Sequence, residues 1–133
     1  MIYDKKSIAL SGIHNILKLF SGPEIMFTFI LFSYFMDEIF KQQVWEITKL
    51  VPKGRVTSYG AIAKAVGYPN HSRHVGKAMG GCPKDVPAHR VISSSGTLSV
   101  PEFQVRLEAE GIEVENFRIK NFKKLFWNPL DEL

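Results

Sequence analysis

Three short runs of apolar residues at helical spacing, each closed by a helix breaker, confine the middle of the chain to short helices. Phe40, Val44, Ile47 and Val51 recur at intervals of 4, 3 and 4, which places them on one face of a helix. Trp45 and Leu50 widen that face. Pro52-Lys53-Gly54 then stops it, because proline lacks the amide donor and glycine admits the exit turn. Thr57 or Ser58 can cap a second helix with apolar positions at Ile62, Ala63 and Val66. Gly67 fits the position after its end, and Pro69-Asn70 makes a turn. A third helix runs from about Ser72 to Met79, with Val75 and Met79 on one face and Gly80-Gly81 ending it. Two helices joined by a turn, the second carrying Arg73 and Lys77, outline a helix-turn-helix. Such a helix can enter a groove while its cations neutralise phosphates. Helical hairpins with surface lysines are common, so the outline alone is a weak signal.

Beyond Gly81 the elements shorten. Residues 86–92 place a rigid Pro87 before β-branched positions around His89 and Arg90, and Ser93-Ser94-Ser95-Gly96 reads as a turn. Phe103 to Glu110 is predicted helical with Gly111 at its end, and Ile112 and Val114 form a short extended piece. The tail from Asn116 to Leu133, with Phe117, Ile119, Phe122, Leu125, Phe126 and Trp127, is dense enough to cover a core. The fold class is therefore mainly α with a short β element, a winged-helix-like helix-turn-helix domain.

The chain has 133 residues and a single cysteine, Cys82. That excludes an internal disulfide framework and any multi-cysteine zinc site, and sits easily with a cytoplasmic location. Residues 41–90 carry nine basic residues against two acidic, whereas 91–119 carry two against five. This reversal suggests one face for a polyanion and an acidic face elsewhere; the bland alternative is a solvated charged surface. His71 and His74 have no companion ligand cluster, so no metal site is expected.

Residues 1–35 differ in character. Ile25 to Met36 is a run of twelve uncharged residues, IMFTFILFSYFM. It is too short to span a membrane, which takes about 20 apolar residues. Nor does it read as a signal peptide, since Glu24 and Ser21-Gly22-Pro23 interrupt the pattern and no small-residue cleavage site follows. An interfacial helix, an unusual anchor and translated sequence upstream of a start at Met36 all fit; the last is favoured. The expected organisation is an atypical apolar extension, 1–35, read as foreign to the native protein, and a well-formed domain, 36–133.

From Val44 onward the sequence reads VWEITKLVPKGRVTSYGAIAKAVG, then SRHVGKAMGG, VPAHRVISSSG and LEAEGI. These separated motifs, in this order over about 90 residues, resemble the DNA-binding domain of the O6-alkylguanine-DNA alkyltransferases. That family's reactive motif is Pro-Cys-His-Arg; here it reads Pro87-Ala88-His89-Arg90. Alkyl transfer needs a thiolate, and alanine supplies no nucleophile. The cysteine-less motif is similar to that of the alkyltransferase-like proteins, most of which carry Trp at the position of Ala88. The resemblance implies no catalytic residue, no cofactor, and binding of O6-alkylguanine in duplex DNA without repair. It also implies nucleotide excision repair proteins as partners, and a monomer is expected. The family's N-terminal ribonuclease-like domain has no counterpart in the first 35 residues.

The resemblance assigns further roles. Tyr59 matches the tyrosine beside the flipped nucleotide and Arg73 the arginine that intercalates in the vacated stack. Gly60 and Ala61, and on the third helix Gly76 and Ala78, are small enough for close approach to the minor groove, and Lys77 adds a cation to that DNA-binding set. The lesion pocket is expected from Tyr59, Val86, Pro87, Ala88, His89, Arg90 and Ser94. His89 and Glu110 match the relay positions and are expected to survive as a structural remnant, with Arg90 bonding backbone carbonyls. Ala88 leaves space where the alkyl group points, so adducts bulkier than methyl should be tolerated, at roughly 0.8 kcal/mol per buried CH₂. No loop contact is carried across Leu98-Ser99-Val100-Pro101, which is less like the family's pattern. Cys82, where the alkyltransferases have an Asn, is more readily a small buried hydrophobe than a nucleophile. The rival readings are an alkyltransferase using Cys82, a general DNA-binding helix-turn-helix regulator, and a membrane-associated module resting on residues 25–36.

Overall fold

A computed structural model describes residues 23–133, which form a first helix, α1 (Pro23–Lys49), and a series of short elements. The chain divides into two compact units, 1–38 and 39–133. The division lies within α1, which runs without a break from Pro23 to Lys49. In the described part of the first unit the apolar side chains of Phe27, Phe29, Ile30, Phe32 and Phe35 are exposed. No helix among the described residues is long and apolar enough to cross a membrane.

The second unit begins with the C-terminal part of α1. Val44 is fully buried there, with Phe40, Trp45 and Ile47 packed around the same cluster. Leu50 is exposed instead of widening this face, and Thr48 takes an inward position. Its hydroxyl is satisfied by donating to the Val44 carbonyl at 2.7 Å, one turn back. After the turn at Pro52-Lys53-Gly54 come β1 (Thr57–Ser58), α2 (Tyr59–Ala65) and α3 (Ser72–Gly80). Ser58 caps α2, its hydroxyl accepting from the Ala61 amide at 3.1 Å. Gly67 has a positive φ, as the exit from α2 requires.

Residues 86–92 hold a single 3₁₀ turn, Ala88–Arg90, before the short strand β2 (Val91–Ile92). The strand begins only after Arg90, because Pro87 already directs its carbonyl to the Arg90 amide at 3.0 Å. β2 pairs in parallel with β1, Thr57 with Val91 and Ser58 with Ile92. α4 (Phe103–Ala109) follows, then β3 (Val114–Glu115) and β4 (Arg118–Ile119) in an antiparallel hairpin. Asn116 and Phe117 take positive φ at its turn, and the Phe117 carbonyl accepts from the Leu98 amide. α5 (Phe122–Leu125) and α6 (Pro129–Glu132) close the chain.

Two buried clusters result. Val44, Ile62, Ala63, Val75, Ala78, Met79, Val86 and Val91 form one, around α2 and α3. Val56, Ile92, Leu98, Leu107, Ile112 and Ile119 form the other, under α4 and the hairpin. The tail covers this core in part: Trp127 and Ile119 are buried, whereas Phe117 stands half exposed. Gly96 fixes the approach of the tail to the Ser93–Thr97 turn. Its φ is +83°, and a Cβ there would lie 3.3 Å from the Phe122 ring.

Candidate lesion pocket and DNA-binding face

The two faces of α3 have opposite characters. Val75, Ala78 and Met79 are buried, while Arg73, Lys77 and Gly80 are exposed and Gly76 is half-buried. Positions 73, 76, 77 and 80 are spaced 3, 1 and 3, so they share the outer side of the helix. Arg73, Gly76 and Lys77 therefore stand together. Ala78 does not join them: it is 3 % exposed, and its carbonyl accepts from the Trp45 indole at 3.0 Å. One step along a helix turns a side chain by about 100°, which carries residue 78 from the groove side to the core. Ala61 is buried for the same reason, and Gly60 lies half-buried at the start of α2.

Beside this face opens a cavity of about 680 Å³. Tyr59, placed at the first turn of α2 by the Ser58 cap, forms one wall, and a Cβ added at Gly76 of α3 would lie 3.9 Å from its ring. Of the residues expected at a lesion pocket, Tyr59, Val86 and Ala88 line the cavity; Pro87, His89, Arg90 and Ser94 are not among its lining residues. Ser94 is exposed on the turn, while Ser93, Ser95 and Thr97 bond one another. Sequence reasoning missed Ser99, Val100, Phe103 and Arg106 on one side of the lining, and Lys84 on the loop after α3. The Tyr59 hydroxyl and Ser99 Oγ are hydrogen-bonded, joining α2 to the stretch that follows the turn. The 99–100 stretch carries no helical period and no motif, so no local signal marks it.

His89 turns away into a buried network. It is 6 % exposed, and its Nε2 lies 2.7 Å from Glu110 Oε1. Arg90 grips the same carboxylate through Nη2 at 2.8 Å and Nε at 3.2 Å, and its Nη1 donates to the Val51 carbonyl at 2.9 Å. The Gly54 amide donates to Glu110 Oε2 at 3.2 Å. Burial works to raise the Glu110 pKa, but the hydrogen bonds from Arg90, His89 and Gly54 outweigh it and bring it down to about 2. Glu110 is therefore an anion throughout the neutral range, tying three segments together.

Cys82 is half-buried and lines the cavity. Burial pushes its thiol above the ordinary value, while the backbone amide and the charge of Arg106 pull the other way. Such a thiol is mostly protonated at neutral pH and a poor nucleophile. The His71 and His74 rings lie 4.8 Å apart beside Tyr68 and Phe40. Among the described residues no group of three or more His, Cys, Asp or Glu gathers into a metal-binding cluster.

Comparison with known proteins agrees with this geometry. Residues 39–117 match the 6-O-methylguanine DNA methyltransferase DNA-binding domain. A DNA base-flipping protein of Vibrio parahaemolyticus is 42% identical over 101 residues, covering 71% of this chain and 100% of that one. The methylated-DNA–protein-cysteine methyltransferase of Salmonella typhimurium is 42% identical over 62 residues, 45% of this chain and 36% of that enzyme. The Schizosaccharomyces pombe protein Atl1, solved with damaged DNA containing O6-carboxymethylguanine, superposes with a TM-score of 0.62 at 35% identity. That match covers 68% of this chain and 95% of Atl1. Matched to the family's DNA-binding domain and similar to a base-flipping protein and to Atl1 along most of their lengths, the chain belongs to the 6-O-methylguanine DNA methyltransferase family as an alkyltransferase-like protein.

Proposed function

We propose that the chain is a non-enzymatic sensor that binds O6-alkylguanine in duplex DNA by flipping the damaged base. The observation that carries this reading is Ala88 on the wall of a cavity shared with Tyr59, at the position where the enzymes of the family hold their acceptor cysteine. α3 enters the minor groove on its Arg73, Gly76 and Lys77 side. Lys77 neutralises phosphate, and the planar guanidinium of Arg73 fills the space that the flipped nucleotide leaves in the stack. Extrusion costs a few kcal/mol, less for a badly paired base, so an O6-alkyl group favours its own capture. Tyr59 and the walls from Val86 to Phe103 then receive the base, and Ala88 leaves room for the alkyl group. The bound protein, a monomer in the cytoplasm, marks the lesion for nucleotide excision repair.

Equilibrium binding to a duplex with one O6-methylguanine and to its unmodified twin, at one salt concentration, tests this reading. A lesion preference of about tenfold or more, roughly 1.4 kcal/mol, is expected. Tyr59→Ala and Arg73→Ala should each reduce it. Near-equal affinities would replace the sensor by a general DNA-binding protein.

A second reading is favoured by one observation, the presence of Cys82 on the same cavity. In it the Cys82 sulfur attacks the alkyl carbon, the carbon–O6 bond breaks, and the thiol proton passes to the released guanine. Incubation with DNA carrying a labelled alkyl group decides between the two: label stays on the DNA in a sensor and moves to Cys82 in an enzyme.

A further inference from the structure

The cavity that holds Ala88 carries charge of one sign only. Its charged lining residues are Lys84 and Arg106, and no Asp or Glu lines it. Arg106 stands close enough to Cys82 for its charge to act on the thiol, and Asp85, exposed and outside the lining, acts on it with the opposite sign. The acids near these cations in sequence each have another partner. Asp85 pairs with Lys49 at 3.4 Å, Glu108 accepts from Gln104 at 2.8 Å, and Glu110 is held by Arg90 and His89. Neither Lys84 nor Arg106 has a salt-bridge partner among the described residues. The neighbouring walls, Met79, Val86, Val100 and Phe103, are apolar. A guanidinium beside such walls gains attraction for an anion once bound DNA excludes water, because the local dielectric falls.

We propose that Arg106, assisted by Lys84, makes this cavity selective for O6-alkyl adducts that end in a carboxylate over neutral adducts of the same size. The inference rests on the lesion-binding reading above. The anion that these cations meet has two possible sources, an adduct carboxylate and a DNA phosphate. The carboxylate is favoured because Arg106 shares the cavity with Ala88, toward which the alkyl group extends, and belongs to α4. The cations assigned above to the DNA duplex, Arg73 in the stack and Lys77 on phosphate, lie on α3 instead.

Four duplexes of one sequence, carrying guanine, O6-methyl-, O6-carbamoylmethyl- or O6-carboxymethylguanine, test it by equilibrium binding at fixed salt and neutral pH. The carbamoyl and carboxylate adducts match in size and differ in charge. Wild type should bind the carboxymethyl duplex about tenfold more tightly than the carbamoylmethyl duplex, as a charge-assisted hydrogen bond would give. Arg106→Gln should abolish that ratio and keep the preference of the carbamoylmethyl over the unmodified duplex. Arg106 is exposed on α4, so the variant should melt with wild type. Equal wild-type affinities for the two adducts would overturn the proposal. So would an Arg106→Gln variant weakened by one common factor on all four duplexes, which would make Arg106 a phosphate contact. Loss of any preference for the three adducts over guanine would overturn the lesion-binding reading itself, and this proposal with it.

Discussion

Ala88 and His89 are neighbours in one motif and have opposite surroundings. Ala88 borders a cavity, makes no hydrogen bond through its side chain, and leaves space for a ligand. His89 is buried and joined to Glu110, which also holds Arg90 and the Gly54 amide. In the enzymes of the family the histidine and glutamate serve a nucleophile. Here position 88 is alanine and the network is in place, so its hold on the fold does not depend on a cysteine at position 88. The contrast separates two jobs that a reactive motif combines: shaping a pocket and fastening the loop that carries it.

The largest effect should come from breaking the fastened side. Glu110→Ala leaves buried His89 and half-buried Arg90 without the carboxylate that holds them and should destabilise the domain by about 3 kcal/mol in denaturant unfolding. Acid attacks the same network. The folded pKa of Glu110, about 2, lies below its ordinary value of 4.5, so its contribution is fully present above pH 4.5 and is lost as pH falls toward 2. That loss should approach about 3 kcal/mol, read as a falling midpoint of urea unfolding between those limits, and Glu110→Gln should flatten this part of the profile. On the cavity side the effects concern binding. O6-benzylguanine should bind more tightly than O6-methylguanine, because its ring fills space that a methyl leaves open beside Ala88; about tenfold is expected from the apolar surface buried. Equal or weaker benzyl binding would show that the open space is not available to the adduct. The smallest effect belongs to Ser99→Ala, which removes the hydroxyl bonded to Tyr59. It should cost at most about 1 kcal/mol in stability, with lesion binding falling a few fold as Tyr59 loses its anchor.

Much of the fold was legible because it is local. The breakers at Pro52-Lys53-Gly54 and Gly80-Gly81, the cap at Ser58 and the exit at Gly67 each act within one turn of the residues that they control. Tyr59, Val86 and Ala88 on the cavity, and the link between His89 and Glu110, could be named because separated motifs stand in a recognisable order. What could not be read depends on helix phase or on distant pairing. The burial of Ala78 follows from which side of α3 meets Trp45, a contact between residues 33 positions apart. The inward position of Thr48 brings its hydroxyl to 3.7 Å from the Met79 sulfur, 31 positions away. Ser99 and Arg106 reach the cavity because the parallel pairing of Thr57 with Val91 sets the start of the chain that leads to them. No composition or period in 98–106 announces that destination.

The hydrogen bond from Trp45 to the Ala78 carbonyl also gives the molecule an optical witness of its own. The indole of Trp45 is half-buried and touches the backbone of the helix assigned to the groove, whereas Trp127, the other tryptophan, is buried at 4 % exposure among the closing elements. A strain placed on α3 by DNA is felt directly at an indole whose emission depends on its hydrogen bond and on nearby dipoles. With Trp127 replaced by Phe, the remaining signal would follow the docking of α3 without any attached dye, and its time course would separate the approach to DNA from the slower capture of a base.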